Sequence, residues 1–169
     1  MSKTSLKKEL SSLDRDQLID AILTAYSSSK PIKEYFDFFA DPDIDRLCDR
    51  HKAEITKEIL RSKYRKSTAR ISRLRSTLRH FESFNPGPER IRDLRLWAIA
   101  ALIDQEIHKE YSDTLINGTL RLLNDTILYS DRNLIFDTTM SAVNDLLKER
   151  NDRSRYFRKF LRNNLQLPQ

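Results

Sequence analysis

Three features of the sequence predict an all-α fold. The chain has 23 leucines but one valine and two glycines, whereas sheets draw on β-branched residues and hairpins on glycine. Apolar residues recur at spacings of three and four along most of the chain, the period of one buried helix face. Asp, Ser and Pro stand where helices would begin. Leu, Ile, Val and Phe make up 46 of the 169 residues, enough for a real core. We expect one all-α domain over 1–169. It would be a single irregular bundle of about eight or nine antiparallel helices around a central apolar helix at about 86–111.

The elements follow in order. A short helix over about Thr4 to Ser11 comes first. Asp14 then stands three residues before Gln17, the spacing of a capping box, with Leu13 and Leu18 placed as a hydrophobic staple. The helix behind it carries Leu18, Ile22 and Ala25 on one face. Ser27-Ser28-Ser29-Lys30-Pro31 interrupts the pattern, and Pro31 suits the first turn of a third helix ending near Ala40. Asp41-Pro42 repeats the device, opening a helix with Leu47, Cys48, His51, Ile55 and Ile59 on one side and an end near Arg65. Ser67 is placed to cap the next, where Ile71, Leu74, Leu78 and Phe81 form a stripe.

Asn85-Pro86-Gly87-Pro88 is the strongest breaker in the chain. The long helix after it is apolar all round between Leu96 and Ile103, which places it at the centre of the bundle. Helices at about 113–130, 133–150 and 153–165 complete the set. Gly118 lies inside the first of these, at a cost of about 1 kcal/mol relative to Ala. In the second, Leu134, Ile135, Val143, Leu146 and Leu147 form the apolar set.

The net charge of +6 is segregated along the chain. Residues 1–45 carry net −3, 46–80 net +9, 81–147 net −5 and 148–169 net +5. Around the Ile71 stripe, Lys66, Arg70 and Arg73 fall on one flank, and Arg75 and Arg79 on the other. Arg155, Arg158 and Arg162 belong to the second basic segment. Long cationic side chains of this kind have two uses. They cover the edges of an apolar stripe and pair with the acidic middle of the chain, or they neutralise phosphates and carboxylates of a partner.

Several constellations fall short of a chemistry. Asp41-x-Asp43-x-Asp45 opens like a calcium loop, but Arg46 and Lys52 stand where Gly and Glu are needed. Cys48-x-x-His51 has ligand-like spacing without a second pair, and both residues fall on an apolar face, so core packing is the better reading. Asp104 and His108 share a face as a surface ion pair. Glu106 and Glu110 stand near them without the paired motif of a di-iron bundle. In the third helix, Tyr35, Phe36, Phe38 and Phe39 crowd together, as expected of a helix wedged between two neighbours or, alternatively, of a patch that binds a partner. The two glycines exclude a Gly-rich phosphate loop. The N-terminus lacks an apolar signal segment, and the longest apolar run is eight residues, far below the roughly 18 that span a bilayer. We therefore expect a cytoplasmic protein with no membrane span, cofactor or metal.

Leu6-Lys7-Lys8-Glu9-Leu10, Asp16-Gln17-Leu18-Ile19 and Ile32-Lys33-Glu34-Tyr35-Phe36-Asp37-Phe38-Phe39 with Asp41-Pro42 resemble the opening of a bacterial family of short all-helical proteins of unknown function. Ile55-Thr56-Lys57-Glu58, the Ser67–Phe81 stretch and Pro86-Gly87-Pro88-Glu89 are similar to its middle. The resemblance covers roughly 1–110, and the C-terminal basic helix departs from it. It implies an all-α fold and a bacterial cytoplasmic setting, and it brings no site residue.

The expected function is a non-catalytic interaction module presenting a grooved helical surface to a protein or a polyanion. Its partner-binding residues would be Lys66, Arg70, Arg73, Arg75, Arg79, Arg155, Arg158 and Arg162. The alternative is a nucleic-acid binder using 61–79 and 150–162, which requires both segments to meet on one face. A homodimer is compatible with the charge pattern, since acidic and basic segments can pair between chains as readily as within one.

Overall fold

Among the described residues, side-chain caps start three of the helices, through Ser2, Asp14 and Ser112. The structure, a computed structural model, describes residues 2–64, 69–105, 112–148 and 154–168. Among the described residues it has nine helices and no strand. The chain divides into two compact units, Met1–Asp43 and Ile44–Gln169. The boundary falls on Asp41-Pro42-Asp43, which the sequence analysis reads as a helix start inside one domain.

In the first unit, α1 (Lys3–Leu10) is capped by Ser2, whose hydroxyl accepts from the Ser5 amide. The capping box of α2 (Arg15–Ser28) forms as predicted. Asp14 Oδ1 accepts from the Gln17 amide at 2.8 Å, and Gln17 Oε1 from the Asp14 amide at 3.1 Å. Pro31 sits in the first turn of α3 (Lys30–Ala40). Tyr26 donates its hydroxyl to Asp37 at 2.8 Å and ties α2 to α3. No residue of these three helices is buried. Within the unit α3 packs on α2, and Phe39 is 71% exposed.

In the second unit, α6 (Pro88–Gln105) packs against α4 (Ile44–Tyr64), α5 (Ile71–Ser83), α7 (Asp113–Arg132) and α8 (Phe136–Leu146). It is the central helix its apolar sequence predicts. Leu94, Ala98, Ile99, Leu102 and Ile103 are buried to within 1%. At about 1.5–3 kcal/mol per large apolar side chain, this helix anchors the unit. The last helix, α9 (Arg155–Asn163), packs on α7. Ahead of α6, Asn85 (φ 51°) and Gly87 (φ 102°) turn the chain in left-handed conformations that Asn and Gly accept.

Two predicted helix starts shift. Asp41 closes α3, donating its amide to Asp37 O at 3.1 Å, and α4 begins later, at Ile44. The residue preceding α5 is Arg70; Ser67 lies outside the described residues, as do residues 106–111 of the predicted central helix.

Gly118 has a packing reason. A Cβ added there would meet Ile71 Cγ1 at 2.7 Å and Ile71 Cβ at 3.3 Å. The missing side chain is what lets α7 approach the start of α5. Gly118→Ala therefore gains about 1 kcal/mol of helix propensity but overpacks the contact, at about 1–3 kcal/mol. We expect a net loss of about 1 kcal/mol by urea denaturation. A more stable variant would show that Ile71 moves aside freely.

Leu134 corrects another expectation. It belongs to the predicted apolar set of α8 but is 95% exposed and left-handed, with φ 59°. It closes α7 in a Schellman arrangement: Ile135 N donates to Ser130 O at 3.0 Å and Leu134 N to Asp131 O at 3.2 Å. This position favours glycine. Leu134→Gly removes backbone strain and gives up no burial, so it should raise the urea midpoint by the equivalent of about 0.5–1 kcal/mol. A destabilised variant would refute the strain.

Candidate functional site

The α5 stripe builds the site. Leu74, Leu78 and Phe81 are buried, so the arginines between them leave along two flanks, as helical geometry requires. Arg70 and Arg73 turn to α4. Arg70 holds Glu58 with two hydrogen bonds, at 2.9 and 3.3 Å, and Arg73 Nη1 stands 3.9 Å away. Glu58 is 13% exposed, and the Arg70 bonds hold its carboxyl below the ordinary range. Because Arg70 is itself 44% exposed, Arg70→Ala should lower stability only slightly in urea denaturation. That loss should shrink as Glu58 protonates below about pH 4.5.

Arg75 and Arg79 leave on the other flank and meet two further arginines. A cleft of about 450 Å³ is walled by Arg75, Arg79 and Glu82 of α5, Arg95 of α6, and Asp125, Tyr129 and Arg132 of α7. Arg95 is fixed within it. Its Nε and Nη2 stand 2.8 and 2.7 Å from Glu82 Oε1, and its guanidinium lies 4.5 Å from the centre of the Tyr129 ring. Burial pushes the Tyr129 phenol above its ordinary value, so it stays a neutral donor at physiological pH.

The other three guanidiniums are less committed. Arg75 Nη2 is 2.9 Å from Asp125 Oδ2 but outside hydrogen-bonding geometry. Among the described residues, it is the one buried side-chain nitrogen or oxygen without a hydrogen-bond partner. Arg79 donates Nε to Arg75 O at 3.3 Å. No carboxylate among the described residues pairs with Arg79 or Arg132. Four cations thus face two carboxylates in a concave site, where charges act more strongly than on an open surface. Guanidinium forks with free donors suit carboxylate or phosphate groups.

The second basic segment turns inward instead. Arg158 is 2% exposed. It donates Nε to Ser154 Oγ at 2.8 Å, Nη2 to Asp104 Oδ1 at 3.0 Å and Nη1 to the Leu146 carbonyl. Arg162 donates to the Leu147 carbonyl. Both guanidiniums therefore cap the end of α8, where carbonyls lack intrahelical partners. Arg158, expected as a partner contact, is instead a buried support, because it is 2% exposed and each of its three guanidinium nitrogens donates inside the fold. Arg155 is exposed on α9, and none of the three α9 arginines lines the cleft. Lys66 lies outside the described residues.

Sequence reasoning found Arg75 and Arg79 and missed Arg95 and Arg132, which stand singly in the acidic middle of the chain. A signal was present on α7, where Asp125, Tyr129 and Arg132 share one face at spacings of four and three. Asp104 pairs with Arg158, and Glu106, His108 and Glu110 lie outside the described residues. Cys48 and His51 are buried in the core, at 8% and 0% exposure, and burial raises the Cys48 thiol above its ordinary value. No group of three or more His, Cys, Asp or Glu gathers among the described residues to hold a metal ion. No helix described is long and apolar enough to cross a membrane.

A family model described as a family of unknown function matches residues 1–160. The match runs beyond the roughly 1–110 resemblance read from the sequence and takes in most of α9. No curated protein and no solved structure matches the chain.

Proposed function

Since the chain belongs to DUF6155, a family of unknown function, we propose its role from the cleft itself: a non-catalytic helical module that binds an acidic segment of a protein partner between α5, α6 and α7. The observation that carries this reading is that Arg79 and Arg132 line the cleft with no carboxylate partner among the described residues, beside the Arg75–Asp125 pair. A carboxylate seated between them would take up their free donors. Glu82 and Asp125 hold Arg95 and Arg75 at the cleft wall.

A nucleic-acid backbone is the weaker fit. It needs a track of cations, and the segments that would supply one are divided: Arg70 and Arg73 on Glu58, Arg158 and Arg162 on the end of α8. The test is fluorescence anisotropy with a labelled Glu-rich peptide and, in parallel, short single- and double-stranded DNA, at about 50 and 200 mM salt. The peptide should bind, and Arg79→Glu with Arg132→Glu should weaken it at least 10-fold, since each charged hydrogen bond contributes about 1.5–3 kcal/mol. Unchanged peptide binding in the double variant would overturn the assignment. DNA binding that falls steeply with salt, with no peptide binding, would give the site to a polyanion.

A further inference from the structure

We propose that the anion taken up by the cleft is a phosphorylated residue of the protein partner, bound as a dianion by Arg79 and Arg132 together. The proposal rests on the cleft reading given above and narrows it to one chemistry.

The first observation is charge. The lining sets four guanidiniums, of Arg75, Arg79, Arg95 and Arg132, against two carboxylates, of Glu82 and Asp125, and so carries a net +2. A glutamate side chain brings a single negative charge and leaves half of that excess unmatched. A phosphomonoester brings about −1.5 to −2 at pH 7 and matches it alone. The phosphate of a nucleic-acid backbone is a diester with one charge, so it shares the shortfall of glutamate.

The second observation is where the open donors lie. Arg95 is committed to Glu82 and the Tyr129 ring, and Arg75 stands against Asp125. Among the described residues, Arg79 donates only through Nε, to the Arg75 carbonyl, which leaves both its terminal nitrogens to a ligand. Arg132 reaches the same cleft from another helix, α7. Two forks from two helices need more acceptors than the two oxygens of one carboxylate. A phosphate group offers three.

The third observation ties the phosphate to a chain. Leu78, Leu122 and Leu128 complete the lining, and Leu128 is 36% exposed. A free phosphate ion covers none of this apolar wall, whereas the side chains flanking a phosphorylated residue can.

The experiment is fluorescence anisotropy with three labelled peptides of one neutral sequence, carrying phosphoserine, glutamate or serine at the central position. The phosphoserine peptide should bind about 10-fold or more tightly than the glutamate one, and the serine peptide should not bind. Its affinity should fall about fourfold from pH 7.5 to 5.5, as the phosphate takes up its second proton near pH 6. The Glu-rich peptide should keep its affinity over that interval, and no histidine lines the cleft among the described residues. Arg79→Gln and Arg132→Gln, at exposed positions that spare the core, should each remove the preference for phosphoserine. Arg73→Gln, 61% exposed on the other flank, should leave it intact, which separates a built site from general attraction to positive charge. Equal affinity for the phosphoserine and glutamate peptides, with equal pH profiles, would overturn the phosphate while leaving the acidic-segment reading in place. Failure of these peptides and of the Glu-rich peptide alike would overturn both. Inorganic phosphate that displaces the phosphoserine peptide at the peptide's own dissociation constant would give the site to the free ion and sink the proposal.

Discussion

Arg158→Met should lower the stability of the protein by about 3 kcal/mol. The guanidinium is the hub of three interactions, to the Ser154 hydroxyl, the Leu146 carbonyl and Asp104. Asp104 is 54% exposed and turns to water at little cost. Ser154 is fully buried, and the Leu146 carbonyl is one of the last of α8. The variant removes a charged donor from the Ser154 hydroxyl and from the Leu146 carbonyl, each such bond contributing about 1.5–3 kcal/mol, and methionine fills most of the volume, so the loss reports the polar contacts. Arg158→Lys should recover little, because one ammonium cannot reproduce the fork that reaches two helix ends. Urea denaturation with an unchanged slope is the measurement. A shift below about 0.5 kcal/mol, the range of an ordinary surface substitution, would show that the inward arginine supports nothing.

Acidification should weaken the protein through His51. The ring is fully buried and wedged against Phe81 and Phe84, with centroids 5.2 and 6.2 Å away. His51 Nδ1 lies 2.8 Å from the Leu47 carbonyl. A carbonyl only accepts, so Nδ1 carries the proton. Nε2 is then the acceptor and faces His80 Nδ1 at 3.2 Å. Burial, with Arg50 and His80 adding to it, lowers the His51 pKa from its ordinary value; the Leu47 bond and Glu54 oppose the shift. The native state thus binds its proton less readily than the unfolded chain does. The stability this represents is complete above about pH 6.5 and is lost as pH falls through the lowered native value. The slope is bounded by one proton, about 1.4 kcal/mol per pH unit, so stability should fall as the pH drops from 6.5 to 5.5. His51→Gln should be less stable at pH 7.5 by about 2 kcal/mol yet flatter across that interval. Glu58 titrates lower and does not contribute there. Equal pH slopes for the two proteins would exclude His51 as the source.

How much of this is legible in the sequence depends on how local the cause is. The Asp14–Gln17 box, Pro31 and the Asn85–Pro88 breaker act within four residues, and each appears where it was read. The parting of the α5 arginines is legible too, because 100° per residue sends Arg70 and Arg75 to different neighbours whatever those are. Leu134 is not, since nothing in an apolar residue announces a left-handed backbone. Arg158 is the opposite failure. An arginine reads as surface, and only carbonyls from another helix make its burial affordable. The cleft is half legible for the same reason: Arg75 and Arg79 sit in a basic run, whereas Arg95 and Arg132 join them only through packing.

The inward arginines also set a timetable for synthesis. The carbonyl of Leu146 waits for a donor 12 residues further along the chain, and that of Leu147 for one 15 residues on. As the chain leaves the ribosome, α8 therefore emerges with a frayed end that water must serve until α9 arrives. These two carbonyls gain their charged donors only when α9 docks, so the end of α8 is completed from a later part of the chain.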